Sequence, residues 1–138
     1  MDRILLFLEN KENISLLTKL LEKQYEIRSY QQGYSLEQGF DLCIADSLTY
    51  QQYQQQRQNL PQANNLVVIP LLLLTNQQEL QEKISQLRQN IDEVILTPII
   101  EEELLIRVEK LLRHRRLLLQ KIGLRFIKSF LKLLIIKP

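Results

Sequence analysis

The chain has 138 residues, 45% of them hydrophobic and 25% charged, which is typical of a globular protein with a core of its own. Its single cysteine excludes an internal disulfide and a thiolate metal site within the chain. The start, Met1-Asp2-Arg3, precedes only five apolar residues, too few for a secretory signal, so a cytoplasmic protein is expected. All 16 acidic residues lie at or before Glu109, so residues 1–112 carry a charge of −6 and residues 113–138 carry +8.

In the first third of the chain, apolar or alternating runs are separated by segments with helical spacing. The runs that predict strands are residues 4–8, 25–30 and 40–46. The segments that predict helices are residues 13–23 and the brief stretch 34–38, which Gly39 closes. The first and third runs are largely apolar, as expected of strands buried on both faces of a sheet.

The alternation continues through the rest of the chain. The predicted elements are a helix over residues 49–58, a loop over 61–65, a strand over 71–75, a helix over 77–88, a strand over 94–96 and a helix from Ile100. The fourth strand is placed after Pro70, because proline donates no hydrogen bond to a central strand. The last helix is strongly amphipathic, and three glutamates in its first turn suit the helix dipole.

Strands and helices that alternate in this way predict an α/β fold, a parallel sheet with helices on both faces. The expected topology is the flavodoxin-like (βα)5 doubly wound sheet with strand order 2-1-3-4-5, which places the first and third strands side by side. We expect this domain to span residues 1–118. A basic, apolar helical extension is expected over residues 119–138.

Polar residues stand at the carboxyl ends of the buried strands, where open α/β sheets bind ligands. They are Glu9, Asp46, Thr75 and Thr97. Glu9 and Asp46 would share a cleft, and neighbouring carboxylates repel unless a proton or cation lies between them, which is a chemical reason to expect Mg²⁺. Structural roles are the alternative: Asp46 and Glu9 as turn or capping residues, Thr75 as a β-former and Thr97 as an extended residue before proline.

Over about residues 2–116 the sequence resembles the receiver domain of two-component response regulators. Residues 40–46 are similar to the strand that presents the phosphoacceptor aspartate, with the Phe-Asp-Leu start and the spacing to Asp46 both matching. The other matching segments are the first strand with Glu9-Asn10, similar to the acidic pocket; residues 69–75, similar to the strand that ends in a switching Thr or Ser; and residues 92–99, similar to the segment with a Lys-Pro pair.

The resemblance implies that Asp46 accepts a phosphoryl group from a histidine kinase or phosphotransfer protein. Mg²⁺ would be held by Glu9, Asp46 and the backbone carbonyl of Leu48, and Thr75 would act as the switch hydroxyl. The surface of the fourth helix, fifth strand and fifth helix would bind an output protein or domain, with a homodimer as a further option. Such a domain is not an enzyme in its own right, and no nucleic-acid partner is expected.

Several positions depart from the family pattern. Leu8 stands where the family has the first of two acids, Asn76 where it has a small residue, and Thr97 where it has a lysine. Without the lysine, a charge-assisted hydrogen bond to the transferred group is lost. The alternative function is therefore a phosphorylation-independent pseudo-receiver, an interaction module with weak or absent Mg²⁺ binding. A small flavodoxin-like enzyme ranks third, because the strand ends carry neither a Gly-rich loop nor a base.

The basic, apolar segment at residues 124–136 matches nothing in the family. Three interpretations stay open: a helix on a membrane surface, a dimerisation helix that continues the fifth helix, or the altered end of a longer regulator, beginning near Gly123. Thirteen residues are too few to span a bilayer. The preceding Arg113-His114-Arg115-Arg116 resembles a linker to an output domain, and we expect a stand-alone receiver-like domain.

Overall fold

The computed structural model describes residues 1–60, 69–83, 85 and 91–136. The strands in this part of the chain are β1 Arg3–Phe7, β2 Glu26–Ser29, β3 Leu42–Asp46, β4 Leu71–Thr75 and β5 Glu93–Leu96. The α-helices are α1 Lys11–Leu21, α2 Tyr50–Gln58, α3 Gln77–Lys83 and α4 Glu101–Ile136. Two short 3₁₀ helices, Tyr30–Gln32 and Leu36–Gln38, connect β2 to β3.

The strands pair in parallel in the order β2-β1-β3-β4-β5. This order confirms the predicted flavodoxin-like doubly wound sheet. Successive strands are added on one side of β1 and then on the other, so the strand order reverses between β1 and β3. These two strands pair Ile4 with Leu42 and Phe7 with Ala45. The carboxyl ends of these two strands therefore open the crevice in which ligands bind in such folds.

Alternate residues of the central strands pack into two apolar clusters, one on each face of the sheet. Ile4, Leu6 and Ile44 lie in the cluster covered by α1 and α4, and Cys43 and Tyr53 lie in the cluster on the side of α2. Burial raises the pKa of the Cys43 thiol and of the Tyr53 hydroxyl above their ordinary values. Both groups are therefore neutral core residues.

The observed elements follow the predicted ones, with shifts at their ends. β3 begins at Leu42, two residues after the start of the predicted run. Just before it, Asp41 is bound to Arg3 twice: its Oδ2 accepts the backbone N–H of Arg3 at 2.8 Å, and its own backbone N–H donates to the carbonyl of Arg3 at 2.8 Å. The second 3₁₀ helix ends at Gly39, which has a φ of 81°, as its predicted closing role requires. The predicted loop over residues 61–65 lies outside the described residues, as do residues 84 and 86–88 of the predicted helix over 77–88.

Helix α4 continues from Glu101 to Ile136, across the predicted boundary between residues 118 and 119. Its first half packs on the sheet, and an ion pair of 2.8 Å between Arg115 and Asp41 fixes it there. All side chains of residues 120–133 are exposed. The division into two regions stays a prediction. Within the part of the chain that the structure describes, no helix combines the length and apolar character needed to cross a membrane.

Candidate functional site

A cleft of about 210 Å³ lies at the carboxyl ends of the central strands. Its polar lining residues are Asn10, Asn13, Asp46, Ser47, Thr75, Asn76, Glu79 and Thr97. The structure thus brings four of the predicted site residues, Asp46, Leu48, Thr75 and Thr97, to one cleft. Glu9 comes close through its backbone, while its side chain is exposed.

Asp46 ends β3 and is 8% exposed. Its Oδ1 accepts a hydrogen bond from the backbone N–H of Thr49 at 2.8 Å and lies 2.8 Å from the Thr49 hydroxyl. Its Oδ2 accepts a longer bond, 3.3 Å, from the backbone N–H of Glu9. Since a carboxylate oxygen has two lone pairs, Oδ2 keeps the capacity to bind a further group, while Oδ1 is held in place.

Thr49 holds Asp46 in place, and its pattern in the sequence did not identify it as a site residue. It is 3% exposed, its hydroxyl accepts the N–H of Asp46 at 3.2 Å, and the same hydroxyl contacts the carbonyl oxygen of Phe7. A hydroxyl has one proton, so it donates at any moment either to Phe7 or to Oδ1 of Asp46. An Asp followed three residues later by Thr, at a strand end before a helix, is the signal that points to this arrangement.

Glu79, in the first turn of α3, is the second missed residue. Its Oε2 accepts hydrogen bonds from the hydroxyls of Ser47 at 2.7 Å and Thr75 at 3.1 Å. Its backbone N–H donates to Oδ1 of Asn76 at 2.7 Å, so Asn76 caps α3. This role explains why a larger residue stands where the resemblance leads us to expect a small one.

The remaining predicted residues occupy different depths of the site. Thr75 is 3% exposed, and its carbonyl accepts the backbone N–H of Thr97 at 2.9 Å. Thr97 itself is exposed and precedes a cis peptide bond to Pro98. Leu48 lines the cleft and is 66% exposed. The catalytic, switching and metal-binding roles of these residues stay predictions.

The described lining of the cleft is acidic. It includes the carboxylates of Asp46 and Glu79, and none of the described residues that line it is a lysine or an arginine. Across the described ranges, no group of three or more His, Cys, Asp or Glu side chains is placed to hold a metal ion. A cation site here would therefore consist of one or two carboxylates completed by water, as is common for Mg²⁺.

No protein-family model matches the chain, and no curated protein matches its sequence. Solved structures do match. NtrX from Brucella abortus, in complex with ADP, superposes with a TM-score of 0.72 at 15% identity, over 91% of this chain and 29% of NtrX. A response regulator receiver modulated diguanylate cyclase from Pelobacter carbinolicus gives 0.63 at 19% identity, over 84% of this chain and 96% of that one.

A response regulator receiver domain protein from Clostridium thermocellum gives a TM-score of 0.65 at 15% identity, over 86% of this chain and 99% of that one. The chain thus spans less than a third of NtrX but nearly all of the other two structures. In each of these three comparisons the agreement covers more than four fifths of this chain. The chain therefore has the fold of the receiver domains of response regulators.

Proposed function

We propose that the chain is a receiver-like domain of a two-component system that accepts a phosphoryl group on Asp46. The observation that carries the proposal is the state of the Asp46 carboxylate at the end of a central strand. Oδ1 is held by Thr49 at 2.8 Å, whereas Oδ2 has one long bond from a backbone N–H at 3.3 Å. Oδ2 is therefore the oxygen that attacks the phosphorus atom.

The phosphodonor is the phosphohistidine of a kinase or phosphotransfer protein. A P–O bond forms to Oδ2 of Asp46 as the P–N bond breaks, and the imidazole leaves with the electron pair and takes up a proton. Mg²⁺ would be held by the carboxylates of Glu9 and Asp46 and the carbonyl of Leu48, and would supply positive charge for the phosphoryl oxygens. The hydroxyl of Thr75 can donate to one of these oxygens.

The output surface in this proposal consists of α3, β5 and the first half of α4. Ile100 and Ile106 are 60% and 66% exposed and line a shallow groove with Arg107 and Lys110. An apolar centre with a charged rim is the usual composition of a protein-binding surface. A phosphoryl group on Asp46 adds charge and acceptor oxygens to the cleft. It thereby changes the contact between Glu79 of α3 and Ser47 of the β3–α2 loop.

A pseudo-receiver is the second candidate function, and one observation favours it. The described cleft lining has two carboxylates and no basic side chain, with Thr97 where the resemblance implies a lysine. Such a lining opposes the accumulation of negative charge during phosphoryl transfer. In this alternative the same output surface binds its partner whether or not a phosphodonor is present.

The intact mass of the protein after incubation with acetyl phosphate and Mg²⁺ separates the two candidates. We expect a gain of one phosphoryl group, which is absent in Asp46→Asn and in a sample without the metal. Absence of the gain, under conditions in which an active receiver is modified, would refute phosphotransfer and leave the pseudo-receiver.

For the C-terminal half of α4 we propose contact with an anionic membrane surface. The cations Lys121, Arg125, Lys128 and Lys132 recur at spacings of four, three and four residues, so they share one face of the helix. Apolar side chains elsewhere on this half are exposed, Phe126 at 75% and Leu133 at 67%. A helix with a narrow basic face and a broad apolar face binds in the headgroup region of anionic bilayers.

Cosedimentation with lipid vesicles tests this contact. We expect binding to vesicles of phosphatidylcholine with phosphatidylserine, little binding to phosphatidylcholine alone, and loss of binding when all four cations are replaced by glutamine. If the protein cosediments with neither kind of vesicle and forms a concentration-dependent dimer in analytical ultracentrifugation, the apolar face would instead bind a second copy of the chain.

A further inference from the structure

We infer that the carboxylate of Glu79 lies where a phosphate-like anion would bind in the cleft. It accepts the hydrogen bonds of the hydroxyl groups that such an anion needs, and so it excludes the anion. This inference rests on the proposed function of the same cleft, and it adds a residue that determines what the cleft admits.

The geometry at Glu79 carries the inference. Its Oε2 accepts from Ser47, which follows β3, at 2.7 Å, and from Thr75, which ends β4, at 3.1 Å. Two hydroxyls from neighbouring strands thus converge on one anionic oxygen, which is the arrangement that a phosphate oxygen would require. The carboxylate that takes this place comes from α3, which begins two residues after Thr75.

The backbone of Glu79 is held as firmly as its side chain. Its N–H donates to the capping Asn76 at 2.7 Å, which fixes the first turn of α3. The sequence Asn76-Gln77-Gln78-Glu79 has the spacing of a capping box, in which the glutamate side chain would turn back to the helix start. Here the side chain turns to the two hydroxyls, so its position serves the cleft.

The negative charge of Glu79 also excludes anions from the cleft. An anion that enters the cleft meets the carboxylates of both Asp46 and Glu79, and the described lining residues include no basic side chain to offset them. In partly solvated surroundings, a like charge a few ångströms from a binding site lowers anion affinity about tenfold or more. Withdrawal of Glu79 therefore opens the cleft by releasing two donors and removing one negative charge.

A purely structural role for Glu79, linking the β3–α2 loop to α3, is the competing explanation. Two substitutions separate the explanations. Glu79→Gln keeps an acceptor for the hydroxyls and removes the charge, whereas Glu79→Ala removes both. Glu82→Gln is the matched control, because Glu82 lies one turn further along α3, is exposed, and loses the same charge.

The experiment is a titration with inorganic phosphate at constant ionic strength, followed by the backbone amide signals of Ser47 and Thr75 in ¹H–¹⁵N NMR spectra. We expect phosphate to bind about tenfold more tightly to Glu79→Gln than to the unaltered protein, and more tightly still to Glu79→Ala. Glu82→Gln should bind like the unaltered protein. If the alanine variant fails to fold, the glutamine variant decides the question alone.

Two results would overturn the inference: an unchanged phosphate affinity in Glu79→Gln, or an equal gain in Glu79→Gln and Glu82→Gln. The titration needs no phosphoryl transfer, so its outcome is independent of the acetyl phosphate experiment. A protein that fails to phosphorylate while Glu79→Gln gains phosphate affinity would disprove the proposed phosphotransfer and support the role of Glu79. If Asp46 is phosphorylated but Glu79→Gln gains no phosphate affinity, the proposed phosphotransfer is supported and the role of Glu79 is disproved.

Discussion

The hydroxyl of Thr49 lies 2.8 Å from Oδ1 of Asp46, and the backbone N–H of the same threonine donates to that oxygen at 2.8 Å. The hydroxyl also contacts the carbonyl of Phe7 at the end of β1. A single side chain thus connects the ends of the two central strands to the start of α2. The position of the candidate phosphoacceptor depends on this connection.

We therefore expect Thr49→Val to lower the free energy of unfolding by about 1–3 kcal/mol, because a buried carbonyl and a buried N–H lose their shared partner. Thr49→Ser keeps the hydroxyl and loses one methyl group, which costs about 1 kcal/mol. Urea denaturation followed by circular dichroism measures both. A serine variant less stable than the valine variant would contradict the assigned hydrogen bonds.

Removal of the C-terminal half of α4 should leave the domain intact. Residues 120–133 are exposed, whereas the pair of Arg115 with Asp41 lies before the predicted boundary. A chain ending at residue 118 is expected to unfold cooperatively, with a free energy of unfolding within about 1 kcal/mol of the full chain. Loss of cooperative unfolding in urea would place the domain boundary further along the helix.

Alkaline pH should destabilise the fold through Cys43. Burial raises the pKa of its thiol above the ordinary value of 9.0, so above that pH the unfolded chain loses a proton that the folded chain keeps. The unfolded state then binds fewer protons, and the free energy of unfolding falls by up to about 1.4 kcal/mol per pH unit. Cys43→Ala should reduce this slope above about pH 9, and the slope that remains includes the contribution of Tyr53, whose pKa is also raised by burial.

Urea denaturation of both proteins at a series of pH values measures the two slopes. The comparison concerns slopes and not absolute stability, because the alanine variant also leaves a small cavity. Equal slopes would mean that the Cys43 thiol ionises as readily in the folded chain as in the unfolded one.

The sheet could be predicted from the sequence because burial on both faces leaves a simple pattern. The apolar runs at residues 4–8 and 71–75 predict central strands, and the rules for parallel connections then restrict the strand order. The end of the last helix was harder to predict from the sequence. Gly123 is one possible start of a separate segment in the sequence, but a glycine costs an exposed helix only about 1 kcal/mol, and α4 continues through it.

The polar contacts of the cleft could be predicted only in part. Asp46 and Thr75 could be predicted as site residues because they end strands, and the carboxyl ends of parallel strands lie at the same edge of the sheet. Glu79 was not identified, because its partner Ser47 is 32 residues away and hydrophobic periodicity says nothing about which polar side chains meet. Its spacing from Asn76 fits a capping box at the start of a helix, so the sequence predicts a local role for Glu79 and not its contact with Ser47.

Thr97→Lys provides a last test of the cleft. Thr97 is exposed in the cleft wall, and its backbone N–H is held by Thr75 at 2.9 Å, so a longer side chain can extend into the cleft without disturbing β5. A lysine there adds a positive charge where the described lining has none. We expect acetyl phosphate to modify Asp46 about tenfold faster, because the ammonium offsets charge on the transferred group.

Thr97→Gln is the matched control for Thr97→Lys, since it lengthens the side chain without the charge. The rate of the mass gain in each variant, alone and combined with Glu79→Gln, shows whether charge governs access to Asp46. Each change shifts the charge of the cleft by one unit in the positive direction, so the two together should accelerate the reaction more than either alone. A lysine variant no faster than the glutamine variant would mean that the ammonium pairs with Glu79 and leaves the reaction unassisted.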